Sequence, residues 1–485
     1  MLEKNDIEPQ FDTLFKPRSV AIVGASTRSP SAGNRLLKIL RESGFDGNIY
    51  VIHPKSKEIE GIKAYVSFAD LPEVIDYAFV CVAAAGVPNL VRSAHQHVRF
   101  MQVMTSGFGE AKDGTALEED LKFAVKQSDV RLLGPNCIGM HTSAGKISYI
   151  ENAEFQDGGI SVLSQSGGLS IDILRRGQQL GLKFHSVVSL GNSLDINSTD
   201  LLAHHLKNDS IKVIGIYIEN ISDGRAFFET LSSAKGRKPI VILKGGRTSA
   251  GQKAAASHTG SIADDARIWD ALQRQTGINL VDTLGDFLNL LGLYQAYHPT
   301  GNSNNRNIVL FGNGGGASVL AADQFAWQGL ELYSFNAETA EQLETLDVPA
   351  GSSLINPIDV PANAIRRDGG MVVSRIFDTI AKGDTFGALI MHLNLTVLAG
   401  YNSDEIVGNA IQALCKFRDD TDQSSQVVLV LRSDFSEQIF RSANRYRLEA
   451  TKAGIPVFNE LSDAACALGA FKKTAAFKRK RGINP

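Results

Sequence analysis

The stretch 19-SVAIVGASTRSPSAGNRLLKIL-40 decides the fold class. Val20 to Val23 form a short unbroken apolar run, which suits a strand buried on both faces and not a half-exposed one. Gly24 ends the run, small and hydroxylated residues follow, and Leu36, Leu37 and Leu40 then recur at helical spacing. A strand that enters a helix through a small-residue turn is the repeating unit of a parallel sheet.

The unit recurs along the chain. Strands are predicted at 49-IYVIHP-54, 77-YAFVCVAA-84, 100-FMQVMTSG-107 and 130-VRLLGPN-136, giving a Rossmann-like domain over 1–148. A second series, 159-GISVLSQSGG-168, 184-FHSVVSLGN-192, 212-KVIGIYIEN-220, 239-PIVILKGG-246 and 279-NLVDTL-284, predicts a flavodoxin-like domain over 149–297. The Asn- and Gly-rich stretch 296-AYHPTGNSNNRN-307 has the composition of a linker. A third series, 308-IVLFGNGGGAS-318, 387-GALIMHL-393, 426-QVVLVLRS-433 and 455-IPVFNE-460, predicts another flavodoxin-like domain over 306–472. The expected architecture is α/β, with three successive domains.

Composition narrows the function. Charged residues make up 21% of 485 residues and the net charge is −3, so no global field attracts nucleic acid or an acidic membrane. The N-terminal residues lack an apolar signal core and no apolar run reaches spanning length, so a cytoplasmic protein is expected. Cys81, Cys137, Cys415 and Cys466 lie far apart, without metal-ligand spacing, and read as reduced thiols. No metal site is expected. The basic tail 471-FKKTAAFKRKRGINP-485 reads as a solvated, frayed end.

Three turns have the chemistry to hold anions. In 24-GASTRSPSAG-33, Gly24, Ala25, Ser26 and Ser31 present backbone N–H groups or hydroxyls where a helix begins, and Arg28 and Lys55 are nearby cations. A tight turn without a ligand would look the same, and the GxGxxG dinucleotide signature is absent. In 164-SQSGGLS-170, Ser164, Gln165, Ser166, Gly167 and Gly168 open a helix N-terminus and lack the spacing of a hydrolase elbow. In 312-GNGGGAS-318, Asn313, Gly314, Gly315 and Gly316 form a third such turn, with no Walker lysine after it.

A histidine stands apart at 254-AAASHTGSIADD-265, read as a loop with room beside the His258 ring. Glu219 ends the strand 214-IGIYIE-219, where a carboxylate could accept Nδ1–H of His258 and leave Nε2 as a nucleophile, although nothing in the sequence makes the two meet. The bland alternatives are a structural histidine and a solvated strand-end carboxylate.

Taken together, the motifs resemble the NDP-forming acyl-CoA synthetases, relatives of succinyl-CoA synthetase. The resemblance covers nearly the whole chain, through 20-VAIVGAS-26, 106-SGFGE-110, 133-LGPNCIG-139, 163-LSQSGG-168, 189-SLGN-192, 216-IYIEN-220, 244-KGGR-247, 257-SHTGS-261, 312-GNGGG-316 and 356-NPIDV-360. It implies a CoA-binding domain, a succinyl-CoA-synthetase-like domain and a ligase-CoA domain. It also implies that acyl-CoA and inorganic phosphate give acyl phosphate and CoA, and that the phosphoryl group passes to His258 and then to ADP or GDP. By the same resemblance Glu219 orients His258, and the SQSGG and GNGGG turns cradle the phosphoryl group. Gly24, Ala25, Ser26, Arg28, Lys55, Val82 and Ala83 would bind CoA, and Asn136 would line the acyl or thiol end.

Two departures stand out: His53 where the family often has asparagine, and 82-VAA-84 where it often has VPA. The chain also leaves no room for an ATP-grasp module, so the resemblance implies an alpha-type subunit. The nucleotide and Mg2+ would then be held by an ATP-grasp beta partner, in a hetero-oligomer such as alpha2beta2, and the substrate would be a small carboxylic acid. The alternative function is a catalytically inactive CoA-binding regulatory or scaffold protein, against which the intact His258, Glu219 and glycine turns argue.

Overall fold

The computed structural model describes residues 11–259, 266–398, 403–421 and 425–483, apart from the side chains of 255–259 and 266. The chain divides into two compact units, Met1–Gln178 with Lys183–Thr276, and Gln179–Leu182 with Gly277–Pro485.

The first unit holds two sheets. Its N-terminal sheet is built from β1 (Ser19–Val23), β2 (Asn48–Ile52), β3 (Glu58–Ile59), β4 (Ile62–Tyr65), β5 (Ile75–Val80), β6 (Val98–Val103) and β7 (Arg131–Leu133), in the order β3-β4-β2-β1-β5-β6-β7. Every residue of β1 and β5 is buried, as the unbroken apolar runs require of central parallel strands. β3 and β4 form a small antiparallel hairpin that the apolar pattern does not reveal. The helix Ala32–Glu42 starts at a capping box in which Asn34 N donates to Ser31 Oγ at 3.3 Å and Ser31 N to Asn34 Oδ1 at 3.1 Å.

β8 (Met140–Thr142), β9 (Ile160–Ser164), β10 (Phe184–Ser189), β11 (Val213–Ile218) and β12 (Ile240–Lys244) form the second sheet, in the order β12-β11-β9-β10-β8 within this unit. β8 runs antiparallel to β10 and the others are parallel. The short helix Phe11–Phe15 ties the two sheets together: Phe11 meets Phe100 of β6 at 5.9 Å, and Phe15 stacks on His204 at 5.6 Å.

The backbone of Ser249–Thr259 is helical, where the histidine stretch reads as a loop. Alanines 254–256 favour that outcome.

The second unit opens with β13 (Asn279–Val281) and the helix Leu284–Ala296. Its main sheet comprises β14 (Asn307–Gly312), β15 (Glu331–Leu332), β16 (Ile358–Asp359), β17 (Ala388–Asn394), β18 (Gln426–Arg432) and β19 (Val457–Phe458). The order is β15-β14-β17-β18-β19, all parallel, with β16 also pairing β14.

Two expectations fail here. The basic tail is not frayed: Leu461–Lys480 is one helix that buries Phe471, Lys472, Thr474, Ala475 and Lys478. These positions fall on one helical face, and Tyr294 and Thr474 share a hydrogen bond at 2.8 Å. The linker-like stretch is also packed, since buried Tyr297 donates to Val427 O and accepts from Val427 N, both at 3.0 Å.

Candidate active site

The C-terminal ends of β1, β2 and β5 lie side by side, at the edge where open α/β sheets take their ligands. Gly24 leaves β1 at φ +107, and a Cβ there would lie 2.5 Å from Cys81 O. Only glycine fits between this turn and the β5 end that carries Val82 and Ala83. Ser26 Oγ accepts from Arg28 N at 3.1 Å, and Asn34 Oδ1 accepts from Ser26 N at 2.8 Å, so the turn is held from inside. The side chains of Arg28 and Lys55 are exposed cations above this edge. At the end of β2, His53 Nδ1 accepts from Lys55 N at 3.2 Å and from Ser56 N at 2.8 Å.

The segment 134–139 connects the two sheets. Asn136 sits at φ +57, and its Nδ2 donates to Asn192 Oδ1 at 3.3 Å. Asn192 Nδ2 in turn donates to Glu110 Oε2 at 2.5 Å. Burial works against the Glu110 anion, but Asn192 and the N–H of Gly107 hold the carboxyl below the usual carboxylate range. Three motifs far apart in sequence, SGFGE, GPNCIG and SLGN, therefore form one hydrogen-bonded chain.

The SQSGG turn joins β9 to the helix Gly167–Gln179. Leu169 N donates to Ser166 Oγ at 3.2 Å and Ser170 N to Ser166 O at 3.1 Å, while the N–H groups of Gly167 and Gly168 head the helix. A Cβ on Gly168 would meet nothing within 4 Å, so the backbone there is open to an approaching anion. Ile138 lies 3.2 Å from where a Gly167 Cβ would sit, which places the 134–139 segment beside this turn. Ser189 Oγ, also on this side, is buried and has no partner among the described residues.

Gln165 bonds the backbone at the end of β11 through its side chain. Its Oε1 accepts from Glu219 N at 2.6 Å and from Asn220 N at 3.0 Å, and its Nε2 donates to Asn220 O at 2.7 Å. Its own N–H is bonded to Tyr217 O at 3.2 Å. The side chain thus clamps the end of β11 to the end of β9. Glu219 receives Tyr217 OH on Oε1 at 2.8 Å, and Lys244 Nζ donates to Glu219 O at 2.9 Å. Burial, followed by the Glu219 charge, pushes the Tyr217 hydroxyl well up, so it stays a donor.

In the second unit the GNGGG turn leads from β14 into the helix Gly315–Trp327. Asn313 Oδ1 accepts from Asn394 N at 2.7 Å, pinning the turn to the end of β17. A Cβ on Gly312 would overlap His392 Nε2 at 1.8 Å. His392 is buried, which lowers its imidazole to about 4, and its Nε2 lies 3.2 Å from Ser318 Oγ, so a neutral ring underlies the turn. A Cβ on Gly315 would lie 2.9 Å from Asp359 Oδ2, and a Cβ on Gly316 would meet nothing.

The side chain of His258 and residues 260–265, which include Gly260 and Ser261 of SHTGS, lie outside the described residues. The structure therefore groups Gly24, Ala25, Ser26, Arg28, Lys55, Val82 and Ala83 at one sheet edge. It groups Asn136, Ser164, Ser166, Gly167, Gly168 and Glu219 around a second edge of the same unit. Among the described residues no group of three or more His, Cys, Asp or Glu is placed to hold a metal ion. Sequence reasoning misses the clamping role of Gln165, the Glu110–Asn192 link, Tyr217 and the His53 contact. Each depends on which strands become neighbours, although SLGN and SGFGE were visible as motifs.

Comparison with known proteins agrees with this geometry. Residues 18–143 match the CoA binding domain family, and residues 157–294 the succinyl-CoA ligase like flavodoxin domain. The alpha subunit of ADP-forming acetate–CoA ligase I from Pyrococcus furiosus is 31% identical over 97% of this chain and 99% of its own length. The ADP-forming acetate–CoA ligase I of Archaeoglobus fulgidus is 36% identical over 73% of this chain, which spans about half (51%) of that longer protein. The solved dinucleotide-forming acetyl-coenzyme A synthetase 1 of Ca. Korarchaeum cryptofilum, in complex with phosphate and ADP, superposes with a TM-score of 0.83 at 27% identity, covering 98% of each chain. The chain thus belongs to the family of ADP-forming acetate–CoA ligase alpha subunits.

Proposed function

We propose that this chain is the alpha-type subunit of an NDP-forming acid–CoA ligase, which interconverts acyl-CoA, phosphate and ADP or GDP with a carboxylic acid, CoA and ATP or GTP. The observation that carries the reading is the Gln165 clamp. It makes the Glu219 strand end and the anion-accepting N–H groups of the SQSGG turn one rigid unit. A carboxylate fixed beside a helix N-terminus is what a phosphohistidine step needs, because phosphoryl transfer depends on positioning and electrostatics.

The proposed sequence has four steps. Acyl-CoA enters with its phosphates at the Gly24–Arg28 turn, Val82, Ala83 and Lys55, and with its thioester near Asn136. Phosphate oxygen attacks the thioester carbonyl and the thiolate leaves as CoA, giving acyl phosphate. His258, its Nδ1–H donated to Glu219, attacks phosphorus through Nε2 and releases the carboxylate. The phosphoryl group, held by the N–H groups of 166–168, then passes to ADP or GDP on the partner, and the 313–316 turn would offer a phosphoryl group the N–H groups of a further helix N-terminus.

The partner would be an ATP-grasp beta subunit carrying the nucleotide with Mg2+, assembled as a hetero-oligomer such as alpha2beta2. The designation of the Pyrococcus furiosus relatives as subunits alpha supports a separate partner. The three sheets would correspond to domains 1–148, 149–297 and 306–472. Among the described residues no helix is long and apolar enough to cross a membrane, and a cytoplasmic location fits the substrates proposed. The substrate is a small carboxylic acid.

The reading is tested by mixing the purified chain with inorganic phosphate and a panel of acyl-CoAs and following CoA release. Phosphate-dependent release with at least one acyl-CoA is expected. No release across the panel in the presence of the beta partner would refute the reading.

A further inference from the structure

The segment 134–139 opens two side chains toward the proposed reaction, and the reaction uses only one of them. Asn136 and Ile138 are half-buried, whereas Gly134, Pro135, Cys137 and Gly139 are buried. Ile138 Cγ2 lies 3.2 Å and Cγ1 3.8 Å from where a Cβ on Gly167 would sit, so the branched side chain packs on the first turn of the helix Gly167–Gln179. Ile138 thus follows Asn136 by two residues and lies against the flank of the Gly167–Gly168 terminus.

The backbone that carries Ile138 is fixed on both sides. Buried Gln102 donates through Nε2 to Cys137 O at 2.9 Å and accepts Tyr77 OH on Oε1 at 2.6 Å. Ser189 N donates to Gly139 O at 2.8 Å. A β-branched side chain on so constrained a backbone has few χ1 rotamers to choose from, so Ile138 is a stiff apolar wall.

We infer that Ile138 is a specificity-determining residue, which limits the substrate to a short aliphatic acyl group without a second charge. The inference rests on the proposed reading that places the thioester near Asn136 and phosphate at the SQSGG turn. Phosphate oxygen and thioester carbon must approach to about 3–3.5 Å to react. That brings the carbonyl carbon to the helix terminus that Ile138 flanks, and the acyl chain starts beside the isoleucine. Each added methylene then presses on a side chain whose backbone cannot withdraw. Charge is disfavoured as well. Ser189 Oγ, 3.7 Å from the same Cβ position, is an uncharged hydroxyl. The charged side chains bonded to the segment through Asn192 Nδ2 are both acidic, Glu110 at 2.5 Å and Glu118 at 3.3 Å. A carboxylate at the far end of an acyl group would lose its water against Ile138 and be repelled by these two.

The experiment follows phosphate-dependent CoA release from acetyl-, butanoyl-, hexanoyl- and succinyl-CoA by the full chain, with thermal unfolding as the check on folding. Wild type is compared with Ile138→Val and Ile138→Ala. Wild type is expected to favour acetyl-CoA over hexanoyl-CoA at least about tenfold in kcat/KM, and butanoyl-CoA over succinyl-CoA, which has the same chain length, by at least about tenfold. Ile138→Ala should shift the hexanoyl-to-acetyl ratio at least about tenfold toward hexanoyl, and Ile138→Val should shift it a few-fold in the same direction. A merely structural isoleucine would lower all four rates together and leave the ratio alone. The inference is overturned if the ratio of a folded Ile138→Ala stays within about twofold of wild type. It is also overturned if wild type uses hexanoyl-CoA as readily as acetyl-CoA, or succinyl-CoA as readily as butanoyl-CoA. If Ile138→Ala does not fold, the same ratio in Ile138→Val decides. No release from any acyl-CoA by wild type with the beta partner present overturns the acid–CoA ligase reading and the inference with it, whereas release with an unchanged ratio overturns the inference alone.

Discussion

Replacing Gln165 by alanine removes one side chain that satisfies three backbone groups: the N–H of Glu219, the N–H of Asn220 and the carbonyl of Asn220. At about 1 kcal/mol for each hydrogen bond, and with water reaching part of this half-buried site, Gln165→Ala should destabilise the chain by about 2–3 kcal/mol. For a unit of this size that is a fall in Tm of roughly 5–10 °C. The larger effect is expected in kinetics. With the clamp gone, the Glu219 strand end drifts relative to the Gly167–Gly168 helix terminus, and phosphorylation of the chain by acyl-CoA and phosphate should slow at least about tenfold. Gln165→Glu separates the two roles. It keeps the acceptor for both N–H groups, so it should cost only about 1 kcal/mol, yet it places a negative charge beside the anion site and should slow phosphorylation as much as alanine does. Thermal unfolding and quenched-flow labelling with radioactive phosphate measure both quantities. The reasoning is refuted if Gln165→Ala melts and phosphorylates like wild type, or if Gln165→Glu retains the full rate.

Three further outcomes follow from individual contacts. Tyr217→Phe removes the donor 2.8 Å from Glu219 Oε1, and should slow phosphorylation roughly tenfold in a stopped time course while leaving Tm within a few degrees. Gly24→Ala would press a methyl group to 2.5 Å from Cys81 O at φ +107. A loss of about 4 kcal/mol in urea unfolding and of CoA binding in calorimetry is expected. His141 is buried with both ring nitrogens unpartnered among the described residues, and burial, helped by the charge of Lys146, brings it down from 6.5 to about 4. The neutral ring is the form that fits, so its contribution is intact above about pH 6.5 and lost as the pH falls toward 4. At about 1.4 kcal/mol per pH unit this approaches 3 kcal/mol. Urea midpoints taken across that window should fall less steeply for His141→Phe than for wild type.

What the sequence reveals and what it hides differ in range. β1, β9 and β14 are legible because each is an unbroken apolar run ending in a small-residue turn, a pattern contained in a dozen neighbouring residues. The glycine turns are legible for the same reason. The role of Gln165 is not, because it requires β9 and β11 to be paired neighbours although more than 45 residues separate them in the chain. The Asn136–Asn192–Glu110 chain likewise exists only once the 134–139 segment has folded back. The C-terminal helix is masked in the sequence by its charge, although its buried positions keep a helical period. Phe471, Thr474, Ala475 and Lys478 repeat at helical spacing, and the lysine stems bury with them.

We propose that His258 carries the phosphoryl group. Intact-mass analysis of the isolated chain, after incubation with inorganic phosphate and its acyl-CoA, tests it most directly. One added phosphate is expected, labile in acid, stable in base and absent from His258→Ala. Addition that survives His258→Ala, or no addition with any acyl-CoA that supports CoA release in the complete enzyme, would contradict it.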